Sequence, residues 1–167
     1  MSIPNIADIK NQWLYQQVEV EFPTQESLAG LALYRSDAAE KEFVELANRP
    51  IPDASFDQND IFLVDFHRLT VMFALLQASR WQQEKHKELI VEFLTQIIYS
   101  DPCELYLGFE HGEPVAAAIL TLNGQDALIS DVVVKPQADA SEQDFIDALV
   151  MKESHKLQQV QHLWLEK

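Results

Sequence analysis

Between residues 104 and 150 the apolar positions fall into a run that predicts strand, turn, strand, turn, strand and helix. Glu104-Leu105-Tyr106-Leu107-Gly108-Phe109 meets a His111-Gly112-Glu113 turn, and Pro114 leads into the apolar stretch Val115 to Leu122, so the pair reads as an antiparallel hairpin. Asn123-Gly124 is a second hairpin turn of the most favoured kind, because such tight loops need positive φ. Leu128 to Val134 follows as a third strand, and the unbroken Val132-Val133-Val134 predicts cover on both faces. Ser141, with Asp144 three residues on, opens a helix carrying Phe145, Ile146, Leu149 and Val150. Val160 to Leu165 reads as one last strand, parallel to the third.

Upstream, Leu89, Ile90, Phe93, Leu94, Ile97 and Ile98 form a helical stripe over residues 86–99, ended by Asp101-Pro102. Ile61 to Val64 is a short apolar strand leading into a helix over residues 69–81. Asp37 with Glu40 resembles a capping box, and Phe43, Val44 and Ala47 then predict a helix over residues 38–48 that Pro50 stops. Val18, Val20 and Phe22 alternate with Glu19 and Glu21, the period of a half-buried strand closed by Pro23. Thr24 and Ser27 can open a helical turn, while Leu31-Ala32-Leu33-Tyr34 fits helix or strand. The stretch from Pro50 to Asn59 crowds Pro, Asp, Asn and Ser and reads as a linker. The expectation is an α+β fold: a mixed, mostly antiparallel sheet flanked by helices over residues 56–167, with an N-terminal strand-helix extension over residues 1–55.

A chain of 167 residues with 47% apolar content can bury one sizeable core. Its 27 acidic against 12 basic residues, a formal net charge of −15, repel phosphate backbones and anionic lipid. Neither nucleic acid nor a membrane is therefore an expected partner. The single cysteine, Cys103, excludes an intrachain disulfide, and Glu104 beside it raises rather than lowers the thiol pKa, which argues against a nucleophile. The opening Met1-Ser2-Ile3-Pro4-Asn5 lacks a basic region followed by an apolar run, so a cytoplasmic address is the default expectation. His67, His86, His111, His155 and His162 are scattered without metal-ligand spacing, and no metal is expected.

The segment Ile129-Ser130-Asp131-Val132-Val133-Val134-Lys135-Pro136, with the order helix, hairpin, strand and helix around it, resembles the acyl-CoA-binding half of the GNAT superfamily of N-acetyltransferases. The resemblance covers roughly residues 61–166. It implies that the last meander strand splays from its neighbour, and that the following loop and helix start bind the diphosphate of acetyl-CoA or CoA. On that footing Val132, Val133, Val134, Ala138, Ala140 and Ser141 are cofactor-binding positions, and Asp131 is the base that frees a small-molecule or protein amine for acylation. Ser130 stands where several family members carry a glutamate.

The loop departs from the family's glycine-rich pattern: Gln137 to Asp144 holds no glycine and carries Asp139, Glu142 and Asp144. At roughly 5 Å and an effective dielectric near 20, each carboxylate opposes each phosphate charge by about 3 kcal/mol before screening. A second reading is thus a catalytically inactive GNAT-like module that binds a partner or self-associates, as a homodimer, through strand edges. GNAT domains also usually continue past their last-named strand into further elements. The resemblance implies that the N-terminal strand and helix, or a partner subunit, supply these here.

Overall fold

Turn chemistry sets the centre of the sheet. Strands β3 (Cys103–Glu110), β4 (Glu113–Asn123) and β5 (Asp126–Val134) form the expected meander. The turns between them place His111 at φ 53°, Gly112 at φ 79° and Gly124 at φ 60°, where a residue without Cβ is favoured. The structure is a computed structural model that describes residues 3–46 and 56–167. Strand β1 (Phe43–Glu45) and strand β2 (Ile61–Leu63) lie at the two edges, and β6 (His162–Glu166) runs parallel to β5. Among the described residues the sheet has six strands in the order β1-β6-β5-β4-β3-β2, and every other pairing is antiparallel.

Strand alternation gives the sheet two apolar faces. Leu105, Leu107 and Ile119 share one core with helices α1 (Asn5–Tyr15), α2 (Gln25–Ala38), α3 (His67–Ala78) and α4 (Glu84–Leu94), through Trp13, Tyr34, Phe73 and Phe93. Tyr106, Ala116, Ala118 and Leu120 face the other way. They pack beneath Phe145, Ile146 and Leu149 of α5 (Glu142–Lys152) and Leu157 of the short α6 (Ser154–Leu157). The start of α5 is fixed as expected by a capping box, in which the Asp144 N–H donates to Ser141 Oγ (3.1 Å) and the Ser141 N–H to Asp144 Oδ2 (3.0 Å).

Two N-terminal expectations are corrected. No strand forms over residues 18–22: α1 runs to Tyr15, a 3₁₀ turn spans Gln16–Val18, and Val20 and Phe22 are exposed. The alternating valines lost to a helical face, because Ile6, Ala7, Lys10, Trp13 and Leu14 recur at helical spacing and are all buried. Nor does a helix begin at residue 38. Asp37 lies in the last turn of α2, where it pairs with Arg80 (3.0 Å) and Lys41 (3.7 Å) instead of capping a new helix. Phe43 then turns inward and the chain pairs with β6, bonding Glu42 N–H to Lys167 O (3.0 Å) and Leu46 N–H to Leu163 O (2.8 Å). The last residues of that expected helix, and most of the expected linker, lie outside the described residues.

Gly30 shows how closely α2 and α4 approach. A Cβ at this position would overlap the Leu89 carbonyl and come within 2.7 Å of Phe93 Cβ. We predict that Gly30→Ala, although alanine is the better helix former, destabilises the protein by about 1–3 kcal/mol in urea titration. An unchanged midpoint would show that the two helices can move apart freely.

Candidate functional site: the cleft where β5 and β6 part

The parallel pairing of β5 with β6 runs only from Asp126 against His162 to Ile129 against Leu165. Beyond it β5 bulges. Ile119 pairs with Ser130 and Ala117 with Val133, so Asp131 and Val132 together oppose Ala118 alone. Asp131 takes the left-handed conformation, φ 54°, which short polar side chains tolerate better than most. The strands separate from this point and leave a cleft of about 580 Å3, walled by Arg80, Asp131, Val132, Ser141, Ile146 and Glu166.

A buried ion cluster holds the bulge in place. The Lys10 ammonium, fully buried, donates to Tyr34 Oη (2.8 Å), Asp131 Oδ2 (3.1 Å) and Glu166 Oε2 (3.1 Å). Asp131 also accepts from Tyr34 Oη (2.6 Å) and Ser130 Oγ (2.7 Å), and Arg80 Nη2 stands 3.6 Å away. Its backbone is fixed too: the carbonyl accepts from Gln77 Nε2 (2.5 Å), and the N–H reaches Glu166 Oε1 (3.4 Å). Helices α1, α2 and α3 and strands β5 and β6 thus meet at one residue.

The two carboxylates titrate in opposite directions. Burial alone would raise Asp131, but Lys10, Arg80 and the Tyr34 and Ser130 hydroxyls outweigh it and hold the carboxyl well below the usual carboxylate range. For Glu166 burial prevails: Lys10 pulls the pKa down, the neighbouring Asp131 charge pushes it up again, and the net shift is upward. Burial likewise raises the Tyr34 phenol, reinforced by Asp131 and Glu166. Burial pushes the Cys103 thiol up to about 12, so this side chain is a packed core residue.

Of the positions singled out in the sequence, Asp131, Val132 and Ser141 line the cleft, and Ser130 is buried beside it as a donor to Asp131. Val133 instead packs into the core beneath the N-terminal helices, while Val134, Ala138 and Ala140 pack against the α5 side. The loop that leads to α5 already has occupants. Glu110, at the end of β3, accepts from the N–H groups of Asp139 (2.9 Å) and Ala140 (3.0 Å). Lys10, Tyr34, Arg80, Glu166 and Glu110 were not legible as site residues. The available signals were Lys10 within an apolar helical stripe and Glu166 next to the apolar Leu163 and Leu165 of a terminal strand. Among the described residues no group of three His, Cys, Asp or Glu side chains could hold a metal, and no helix is long and apolar enough to cross a membrane.

No family model matches the sequence, and no curated protein matches it. Solved structures match in fold. A functionally unknown conserved protein from Staphylococcus epidermidis ATCC 12228 aligns with a TM-score of 0.51 at 12% identity, over 87% of this chain and 60% of that one. A GCN5-related N-acetyltransferase from Kribbella flavida aligns with a TM-score of 0.45 at 11% identity, over 83% of this chain and 54% of that one. This chain therefore spans little more than half the length of either. The shared fold with the Staphylococcus epidermidis protein is one in which helices precede an antiparallel meander whose last strand parts from a parallel neighbour, the arrangement expected from the sequence resemblance.

Because Asp131 has its folded pKa depressed, it stabilises the fold above the ordinary carboxylate value of 3.8, and that contribution is lost as pH falls below it. We predict that Asp131→Asn flattens the fall in urea midpoint between pH 5 and pH 2, and that Lys10→Met, which leaves buried carboxylates unpaired, loses about 3–5 kcal/mol near neutrality. The double variant should lose less than the sum of the two. Strict additivity would show that the pair is not coupled.

Proposed function

We propose that the cleft binds a pantetheine thioester of the acyl-CoA type and transfers its acyl group to an amine. The observation that carries this reading is the parting of β5 from β6 at the Asp131 bulge, which opens a cleft of about 580 Å3 leading to the first turn of α5. That volume suits a small ligand held by a few polar groups. The resemblance of segment 129–136 to GNAT proteins implies an acyl donor lying along the same splayed strand.

The transfer needs a neutral amine. As its nitrogen attacks the thioester carbonyl, the C–N bond forms, the C–S bond breaks, the thiolate leaves and takes up a proton, and the amine gives one up to a base. The depressed pKa of Asp131 suits it to hold charge and poorly to accept protons. In this reading Asp131, with Ser130, positions the Lys10 ammonium, and Glu166, which lines the cleft and whose pKa burial raises above the ordinary carboxylate value, accepts the proton. The acceptor is a small-molecule or protein amine.

The test is thiol release from S-acetylpantetheine and acetyl-CoA with a panel of amines, alongside thermal midpoints at millimolar donor. Cys103, the only cysteine, is buried with a raised pKa, so the protein contributes little background. Donor should raise the midpoint by mass action. Glu166→Gln should lower amine-dependent thiol release by about a hundredfold. Midpoints unchanged by either thioester would overturn the reading.

A further inference from the structure

The cleft gathers positive charge that the rest of the chain lacks. Three of the twelve basic residues, Lys41, Arg80 and Lys167, line it together with the carboxylates of Asp131, Glu142 and Glu166. On a chain of net charge −15 that lining is formally neutral. The three cations are also close to one another. Asp37 Oδ2 is shared between Arg80 Nη1 (3.0 Å) and Lys41 Nζ (3.7 Å). Glu42, next to Lys41, exchanges two backbone hydrogen bonds with Lys167, at 3.0 Å and 2.7 Å. Lys41 follows α2 and Arg80 follows α3, so both belong to the layer of N-terminal helices, away from α5.

Their partners within the chain do not satisfy them. Arg80 spends Nη1 on Asp37, while Nη2 stands 3.6 Å from Asp131, and its buried Nε and Nη2 make no hydrogen bond among the described residues. Lys167 is exposed and forms no ion pair among the described residues. Buried donors left without acceptors are costly, and a guanidinium offers a carboxylate two parallel hydrogen bonds.

We propose that the acceptor is an amine that itself carries a carboxylate, an amino acid, whose carboxylate is held by Arg80 with Lys41 and Lys167 while its amine meets Glu166. The proposal rests on the acyl-transfer reading and names the acceptor class of that same cleft. The neutral lining suits a zwitterion, with cations for its carboxylate and Glu166 for its amine. A phosphate-bearing amine fits less well, because its second negative charge would face three carboxylates with no further cation to meet it. To take the ligand carboxylate, the guanidinium turns Nη2 from Asp131 toward the cleft, and the long 3.6 Å contact leaves it free to do so.

The experiment follows thiol release from S-acetylpantetheine and acetyl-CoA with glycine, β-alanine and 4-aminobutyrate, each against its primary amide at equal concentration of unprotonated amine. Calorimetric titration of the same pairs without donor reads binding alone. Wild type should favour the acid of at least one pair over its amide by at least tenfold in kcat/KM. Arg80→Gln, and Lys41→Ala combined with Lys167→Ala, should each bring that ratio to within about threefold of one. Where Arg80→Gln fails to fold because Asp37 and Asp131 lose a partner, the double lysine variant carries the test. Equal handling of acids and amides by wild type overturns the proposal, and so does a preference that survives in both variants. Turnover of the amides alone leaves the acyl-transfer reading standing and sinks the carboxylate site. If no acceptor releases thiol, that reading fails, and the calorimetric comparison of acid with amide still decides whether the three cations hold a carboxylate.

Discussion

A single ammonium group, that of Lys10, sets the geometry of everything around the cleft. An unpaired lysine out of contact with water would be prohibitively unfavourable, so its three protons must find acceptors, and they find Tyr34, Asp131 and Glu166 on three separate elements. Helix α1 is thereby keyed to α2, to the bulge of β5 and to the end of β6 at once. The left-handed backbone of Asp131 is held by the same bonds, with Gln77 fixing its carbonyl. The parting of the strands is consequently not a loose end of the sheet. It is bridged at its apex by a cation, and whatever enters the cleft meets a wall whose charges are already in place.

Much of this was legible in the sequence wherever local chemistry and burial agree. The meander, its turns at Gly112 and Gly124, the Ser141–Asp144 capping box and the terminal parallel strand each carry a short-range signal that the fold merely completes. The N-terminal region was misread for a physical reason. Lys10 is a charged residue in the middle of an otherwise apolar helical face, so the stripe of Ile6, Ala7, Trp13 and Leu14 looks broken until its partners on distant elements are known. Asp37 offers the mirror case. Its spacing to Glu40 imitates a helix start, yet its partner is Arg80, 43 residues away, and β1 forms because β6 offers it hydrogen bonds that no local pattern announces.

The loop before α5 shows the same limit in reverse. Three acidic residues there stand out in the sequence, and acids near a helix start are favourable to its dipole. Of these, Asp144 and Asp139 take part in contacts within the chain, the first in the cap and the second with His111. The carboxylate that takes up the loop's N–H groups is a fourth, Glu110, and nothing in the loop's own sequence points to it. A departure from a glycine-rich pattern is thus more than a loss. The donors are still present and still satisfied, but by the protein itself.

Asp131 and Glu166 illustrate how environment can divide labour between like groups. Both are buried and both touch Lys10, yet Asp131 also collects Tyr34, Ser130 and the nearby Arg80, whereas Glu166 has Lys10 and a long bond from the Asp131 N–H. The richer set of donors keeps Asp131 charged, and that charge in turn disfavours a second one on Glu166. A pair of titratable groups pushed apart in this way is the usual arrangement where one must stay ionised and the other must exchange a proton. In the proposed reading Asp131, the strand position that first drew attention, is the fixed partner, and the exchangeable group is Glu166, on the strand from which β5 parts.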